Sequence, residues 1–93
     1  MEEDTFNWRN TIQWSTEPPD TLFLGTKEVA RLHQRVDDKT WFVILDQHLD
    51  YELRRRRICT NYETGKAGTM IWALRHEARI RREIEESRAK RGR

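Results

Sequence analysis

The 93-residue chain has a single cysteine, Cys59, and no apolar run that approaches the length of a membrane span. A lone cysteine excludes an internal disulfide and a four-cysteine zinc site. The missing apolar run excludes a spanning helix, and Met1-Glu2-Glu3-Asp4 is acidic where a secretory or mitochondrial leader would be basic. Together these features read as a soluble protein of a reducing compartment, the cytoplasm. Catalytic signatures are also lacking: there is no nuclease pattern of paired carboxylates with a lysine, no H-E-x-x-H helix and no nucleophile elbow. His76-Glu77 has no second histidine four residues after the first. The expectation is a protein that is not an enzyme, with no catalytic residues, no metal and no cofactor.

Hydrophobic residues are 35% of the chain and charged residues 37%. A domain this small buries only ~60 to 65% of its unfolded surface, so its core has to be efficient. Four Trp, three Phe and two Tyr supply large buried areas and argue against full disorder. We expect one domain over residues 6–86, preceded by a flexible acidic segment 1–5 and followed by a flexible basic tail 87–93.

Charge is unevenly distributed. Residues 1–50 carry five Lys/Arg against ten Asp/Glu, and residues 51–93 carry thirteen against six. The formal charge of +2 thus hides an acidic half and a basic half, and the basic half opens on the run Arg54-Arg55-Arg56-Arg57. Such asymmetry points to a partner bearing phosphates or an acidic surface.

Periodicity predicts the elements. Phe6, Trp8, Ile12 and Trp14 occupy even positions of a period-two stretch, the pattern of a half-buried strand, although Trp8 and Ile12 at i and i+4 leave a short helix open. Ser15 to Asp20, with Pro18-Pro19, breaks the chain. Leu22-Phe23-Leu24 leads into Gly25-Thr26-Lys27 and Glu28 to Val36 alternates again, a tight hairpin with Ala30, Leu32 and Val36 on one side and Arg31, His33 and Arg35 on the other. Asp37 to Lys39 is a turn, Trp41 to Leu45 a central strand and Arg54 to Tyr62 a further strand. Thr69 is the expected N-cap of a C-terminal helix whose stripe is Met70, Ala73, Leu74, Ile80 and Ile84. Pairs such as Glu77 with Arg81 and Arg79 with Glu83 support its solvated side. The fold class is α+β: a small antiparallel sheet of four or five strands with one C-terminal α-helix packed on one face.

In that fold Arg31 and Arg35 project from the open sheet face, joined by alternate members of Arg54, Arg55, Arg56 and Arg57. Guanidinium groups fork onto phosphate oxygens or guanine edges, so the face reads as a nucleic-acid surface, with a plain solvated face as the alternative. Arg75, Arg79 and Arg82 follow helical spacing beside Trp72, which either stacks on a partner or folds over a sheet edge. Asp46, His48 and Asp50 alternate as acid–base or metal-binding groups would along an extended segment. Cys59 beside Arg57 is either activated or simply packed.

Gly65-Lys66-Ala67-Gly68 resembles the GXXG loop of KH domains over fewer than ten residues. The resemblance implies a phosphate approach at a helix start, with Lys66 nearby. A KH domain also needs a helix before the loop and strands after the second helix, which this order of elements does not provide. The layout is similar to the three-stranded sheet plus helix of AP2-type and phage integrase arm-binding domains, in architecture and not in signature residues. The leading expectation is a non-enzymatic binder of nucleic acid, DNA or RNA. The alternative is an inhibitor or adaptor, similar to anti-CRISPR and other phage accessory proteins, that docks on a host nucleic-acid-processing protein. No membrane partner is expected, and a homodimer through an edge strand or Trp72 is a further option.

Overall fold

Five strands, β1 (Phe6–Arg9), β2 (Thr21–Leu24), β3 (Lys27–Gln34), β4 (Trp41–Leu45) and β5 (Arg55–Cys59), are followed by helices α1 (Tyr62–Arg75) and α2 (Glu77–Arg91) in the computed structural model. It describes residues 5–10 and 19–91; the expectations for Met1 to Asp4, Ile12, Trp14 and the Pro18 end of the breaker fall outside them. The strands form one antiparallel sheet in sequence order, β1-β2-β3-β4-β5. Gly25, with φ 64°, takes the left-handed first position of the two-residue β2–β3 turn, where a side chain would be strained.

Alternation decides which side of each strand meets the helices. Phe6 and Trp8 of β1 pair with Leu24 and Leu22 of β2, and Leu32 of β3 with Val43 of β4. All of these lie on the helix-covered face. A bulge between Leu22 and Phe23 shifts the register there, so Val29 and Ala30, though consecutive, are both buried. The core is completed from above by Ala73, Ile80 and Ile84.

Two helices stand where one was expected. His76 ends α1, its backbone N–H reaching the carbonyls of Trp72 and Ala73, and α2 begins at Glu77. The first helix starts well before Thr69. Asn61 caps it, its side chain accepting from the Thr64 N–H at 2.8 Å. Gly65, Thr69 and Ala73 are the buried positions of α1, an i, i+4, i+8 stripe of small residues that hydrophobic periodicity cannot register. Thr69 instead donates its hydroxyl to the Gly65 carbonyl at 2.6 Å. Leu74, about 100° round from Ala73, is 58% exposed. Val36 is 87% exposed, because β3 ends at Gln34 and the chain is already turning. Helix α2 runs on through Ser87 to Arg91, into the stretch expected to be a basic tail.

Gly65 sets the distance between helix and sheet. A Cβ there would lie 2.8 Å from Leu32 Cδ2 and 3.0 Å from Cys59 Sγ. Leu32 is itself buried, so it has little room to yield. At Gly68 a Cβ would meet nothing within 4 Å. We therefore expect Gly65→Ala to destabilise the fold by about 1–3 kcal/mol through overpacking. Gly68→Ala is expected to stabilise it by about 0.5–1 kcal/mol through helix propensity. Urea denaturation of both variants checks the contrast, and equal effects would show that Gly65 does not set the spacing.

Candidate functional site

Both helices lie on one side of the sheet, and among the described residues no helix or strand covers the other side, although Thr21 on it is fully buried. Register places Arg9 opposite Thr21, Thr21 opposite Arg31, Arg31 opposite Ile44 and Ile44 opposite Arg56. One row therefore crosses all five strands with an arginine at every second strand, about 10 Å apart at the usual strand spacing. The next row holds His33, Phe42 and Ile58. The His33 ring stacks on Phe42, with centroids 5.2 Å apart and planes 16° from parallel. The Arg56 guanidinium lies 5.5 Å from the same Phe42 ring, and that of Arg9 lies 4.7 Å from Phe23. Ile58 is 75% exposed, an apolar group on the edge strand β5.

The electrostatics of this face favour an anion. Burial and the positive charge of Arg31 lower the His33 pKa, with Arg56 adding to the effect and Asp20 opposing it. The ring is thus held neutral below its ordinary titration range. Arg31 is only loosely engaged, at 3.6 Å from Glu28 and 3.4 Å from the Thr21 hydroxyl. Arg35 lies beyond the end of β3, 3.9 Å from Asp38.

The arginine run is divided between the two faces. Arg56 shares the open face with Ile44, and Arg54 precedes it by two residues, whereas Arg55 and Arg57 pair with Leu45 and Val43 on the helix side. There Arg57, Cys59, Gly68 and Trp72 line a groove of about 260 Å³ between β5 and α1. Trp72 is half-buried and packed against the core, 5.9 Å from the His76 ring. Burial raises the Cys59 thiol pKa, with Arg57 opposing, so this cysteine is a packed thiol and not an activated one.

The remaining expected contacts are dispersed. Lys66 sits inside α1 and not in a loop, with its ammonium 5.5 Å from the Trp8 ring and 5.7 Å from that of Tyr62. Gly65-Lys66-Ala67-Gly68 is helical throughout, so the anticipated phosphate loop does not exist. Arg75 and Arg82 are exposed on the helical side. Arg79 is not a free cation: it bonds Asp46 at 3.1 Å and Glu83 at 2.8 Å.

That pair of bonds belongs to a cluster only half visible in the sequence. Asp46 and His48 come together as expected, but their third companion is Glu83, from α2, and not the exposed Asp50. His48 Nε2–H donates to Glu83 at 2.7 Å, while its Nδ1 is buried without a partner among the described residues. Ligand-type atoms of Asp46, His48 and Glu83 lie within 4.8 Å of one another. The Arg79 guanidinium already supplies the positive charge between two of them, so a divalent cation would have to displace it. The cluster ties the β4–β5 connection to α2. Compared with known protein families, curated proteins and solved structures, the chain matches none, and the residues themselves carry the functional reading.

Burial pushes the Glu83 carboxyl up, but bonds from His48 and Arg79 outweigh it and hold the pKa below the ordinary 4.5. A depressed carboxyl contributes stability that is complete above the unfolded value and lost as pH falls through the folded one. Urea unfolding is therefore expected to show stability declining below about pH 4.5, a decline reduced in Glu83→Gln. Arg79→Met leaves Asp46 buried without its cation and should cost about 2–3 kcal/mol at pH 7, less than a fully buried pair because Arg79 is partly exposed.

Proposed function

We propose that this protein is a non-enzymatic nucleic-acid-binding module that uses the uncovered face of its sheet. The observation that carries the reading is the row Arg9-Thr21-Arg31-Ile44-Arg56 beside the stacked His33 and Phe42. Guanidinium groups from alternate strands track phosphates, and the rings of the neighbouring row give bases a stacking surface. Phosphate contacts release counterions, so affinity falls as salt rises. The helical arginines Arg75 and Arg82 face away from this surface and are at most secondary contacts.

The proposal differs from a diffuse basic surface in what it demands of alternate arginines. Fluorescence anisotropy with labelled single-stranded and duplex oligonucleotides, at salt from about 50 to about 200 mM, is expected to give a steep linear dependence of log affinity on log salt. Arg31→Ala with Arg56→Ala should reduce the slope by about 0.7–0.9 per lost phosphate contact. Arg55→Ala with Arg57→Ala, on the other face, should change it less. Phosphates near His33 would raise its lowered pKa, so binding should tighten as pH falls from 7 towards 5.5 in the native chain and lose this dependence in His33→Gln. Absence of salt-dependent binding would refute the reading and direct attention to a protein target.

A further inference from the structure

Between β4 and β5 the chain makes a single turn of 3-10 helix, Tyr51–Leu53. This turn and the open face of β5 enclose a depression of about 320 Å³ lined by Ile44, Tyr51, Glu52, Arg54 and Arg56, at the lower end of the size of small-molecule sites. We infer that this depression is a pocket for one unpaired guanine of a single-stranded nucleic acid. The inference rests on the nucleic-acid reading above and narrows it to a strand type and a base.

The chemistry of the lining decides the occupant. Two arginines alone would draw in a phosphate, but Glu52 places a carboxylate in the same depression and repels one. The group that satisfies the whole lining therefore carries hydrogen-bond donors for Glu52 as well as acceptors for the arginines. Tyr51, 74% exposed, offers a flat ring with no role in the core, and Ile44 provides an apolar floor. A nucleobase fits this description.

Guanine fits it best. Its Watson–Crick edge presents N1–H and N2–H side by side, which a carboxylate accepts together, while O6 and N7 accept from arginine. Adenine and cytosine offer a carboxylate only their amino group, and the single N3–H of thymine or uracil is flanked by two carbonyl oxygens that repel it. In a duplex, cytosine already occupies guanine N1–H and N2–H, so Glu52 can read the base only when it is unpaired. The pocket is held ready for this contact. Arg54 Nε donates to the Leu49 carbonyl at 3.0 Å, fixing the guanidinium against the turn, and Arg56 rests against Phe42. No hydrogen bond or ion pair from the described residues engages Glu52, which leaves its carboxylate available.

Short labelled thymine strands with one central guanine, inosine or adenine test the assignment, alongside the all-thymine strand and the same guanine paired in a duplex. A bidentate contact predicts that the guanine strand binds about tenfold more tightly than the adenine strand. Inosine, which lacks the N2 amino group, should fall between them, and pairing should erase the advantage. Glu52→Gln is expected to remove the guanine preference while leaving all-thymine affinity within about twofold, since the phosphate contacts are intact. Tyr51→Leu should weaken every strand whose central base enters the pocket. Both residues are exposed, and circular dichroism verifies that the variants fold. Equal affinity for guanine, inosine and adenine, or a preference that persists in Glu52→Gln, would overturn the pocket and leave the sheet-face reading standing. Failure of every strand to bind at low salt would overturn both.

Discussion

The approach of α1 to the sheet at Gly65 is the constraint on which the rest of the molecule depends. Leu32 and Cys59 occupy the space that any larger side chain at residue 65 would need, so the helix descends on β3 and β5 at a point where only hydrogen fits. From that anchor Thr69 and Ala73 follow on the buried stripe, and α2 continues the same layer with Ile80 and Ile84. All helical mass is thereby on one side. Among the described residues no further element packs on the opposite side of the sheet. Arginine supplies much of the polarity of that open face, from Arg9, Arg31 and Arg56.

The second fastening is electrostatic. Asp46 ends β4 in a left-handed conformation, φ 60°, and is nearly inaccessible, so its carboxylate requires a partner. Arg79 provides one from α2 and shares itself with Glu83, which in turn accepts from His48. Each group covers the desolvation of its neighbour, and removing one member exposes the others to an uncompensated cost. For the proposed pocket the consequence is indirect. The connection from β4 to β5 is pinned at its start, so the turn that carries Tyr51 and Glu52 is presented from a fixed origin.

How much of this was legible depended on whether a feature writes itself in a two-residue or a helical period. The strands and their hairpins were, since β2, β3 and β4 alternate or run apolar between clear turns. So was the division of Arg54 to Arg57 between two faces. The start of α1 was not, because Gly65 and Thr69 bury small or polar side chains and the apolar signal begins only at Met70. The break at His76 has no proline or glycine to announce it. The bond from Arg79 to Asp46 was not legible because the two lie 33 residues apart, a separation that no local pattern bridges. Glu83 could be read only as a helical ion pair with Arg79, which it is, and not as the third member of the Asp46–His48 cluster, which it also is.

The contrast between an acidic first half and a basic second half changes meaning in three dimensions. Folding sets acid against base across the halves, as with Asp46 and Arg79. What survives is a property of one surface, where Arg31 comes from the acidic half and Arg56 from the basic half, brought into one row by strand pairing. Within that surface the informative residue is the one of opposite sign. A patch made of arginine alone distinguishes anions from everything else and little more, since phosphates are common to every nucleic acid. A carboxylate among the arginines costs affinity for the backbone and can offset that cost only when a ligand presents donors to it. On the proposed reading, Glu52 turns a surface that attracts strands in general into one able to choose among bases.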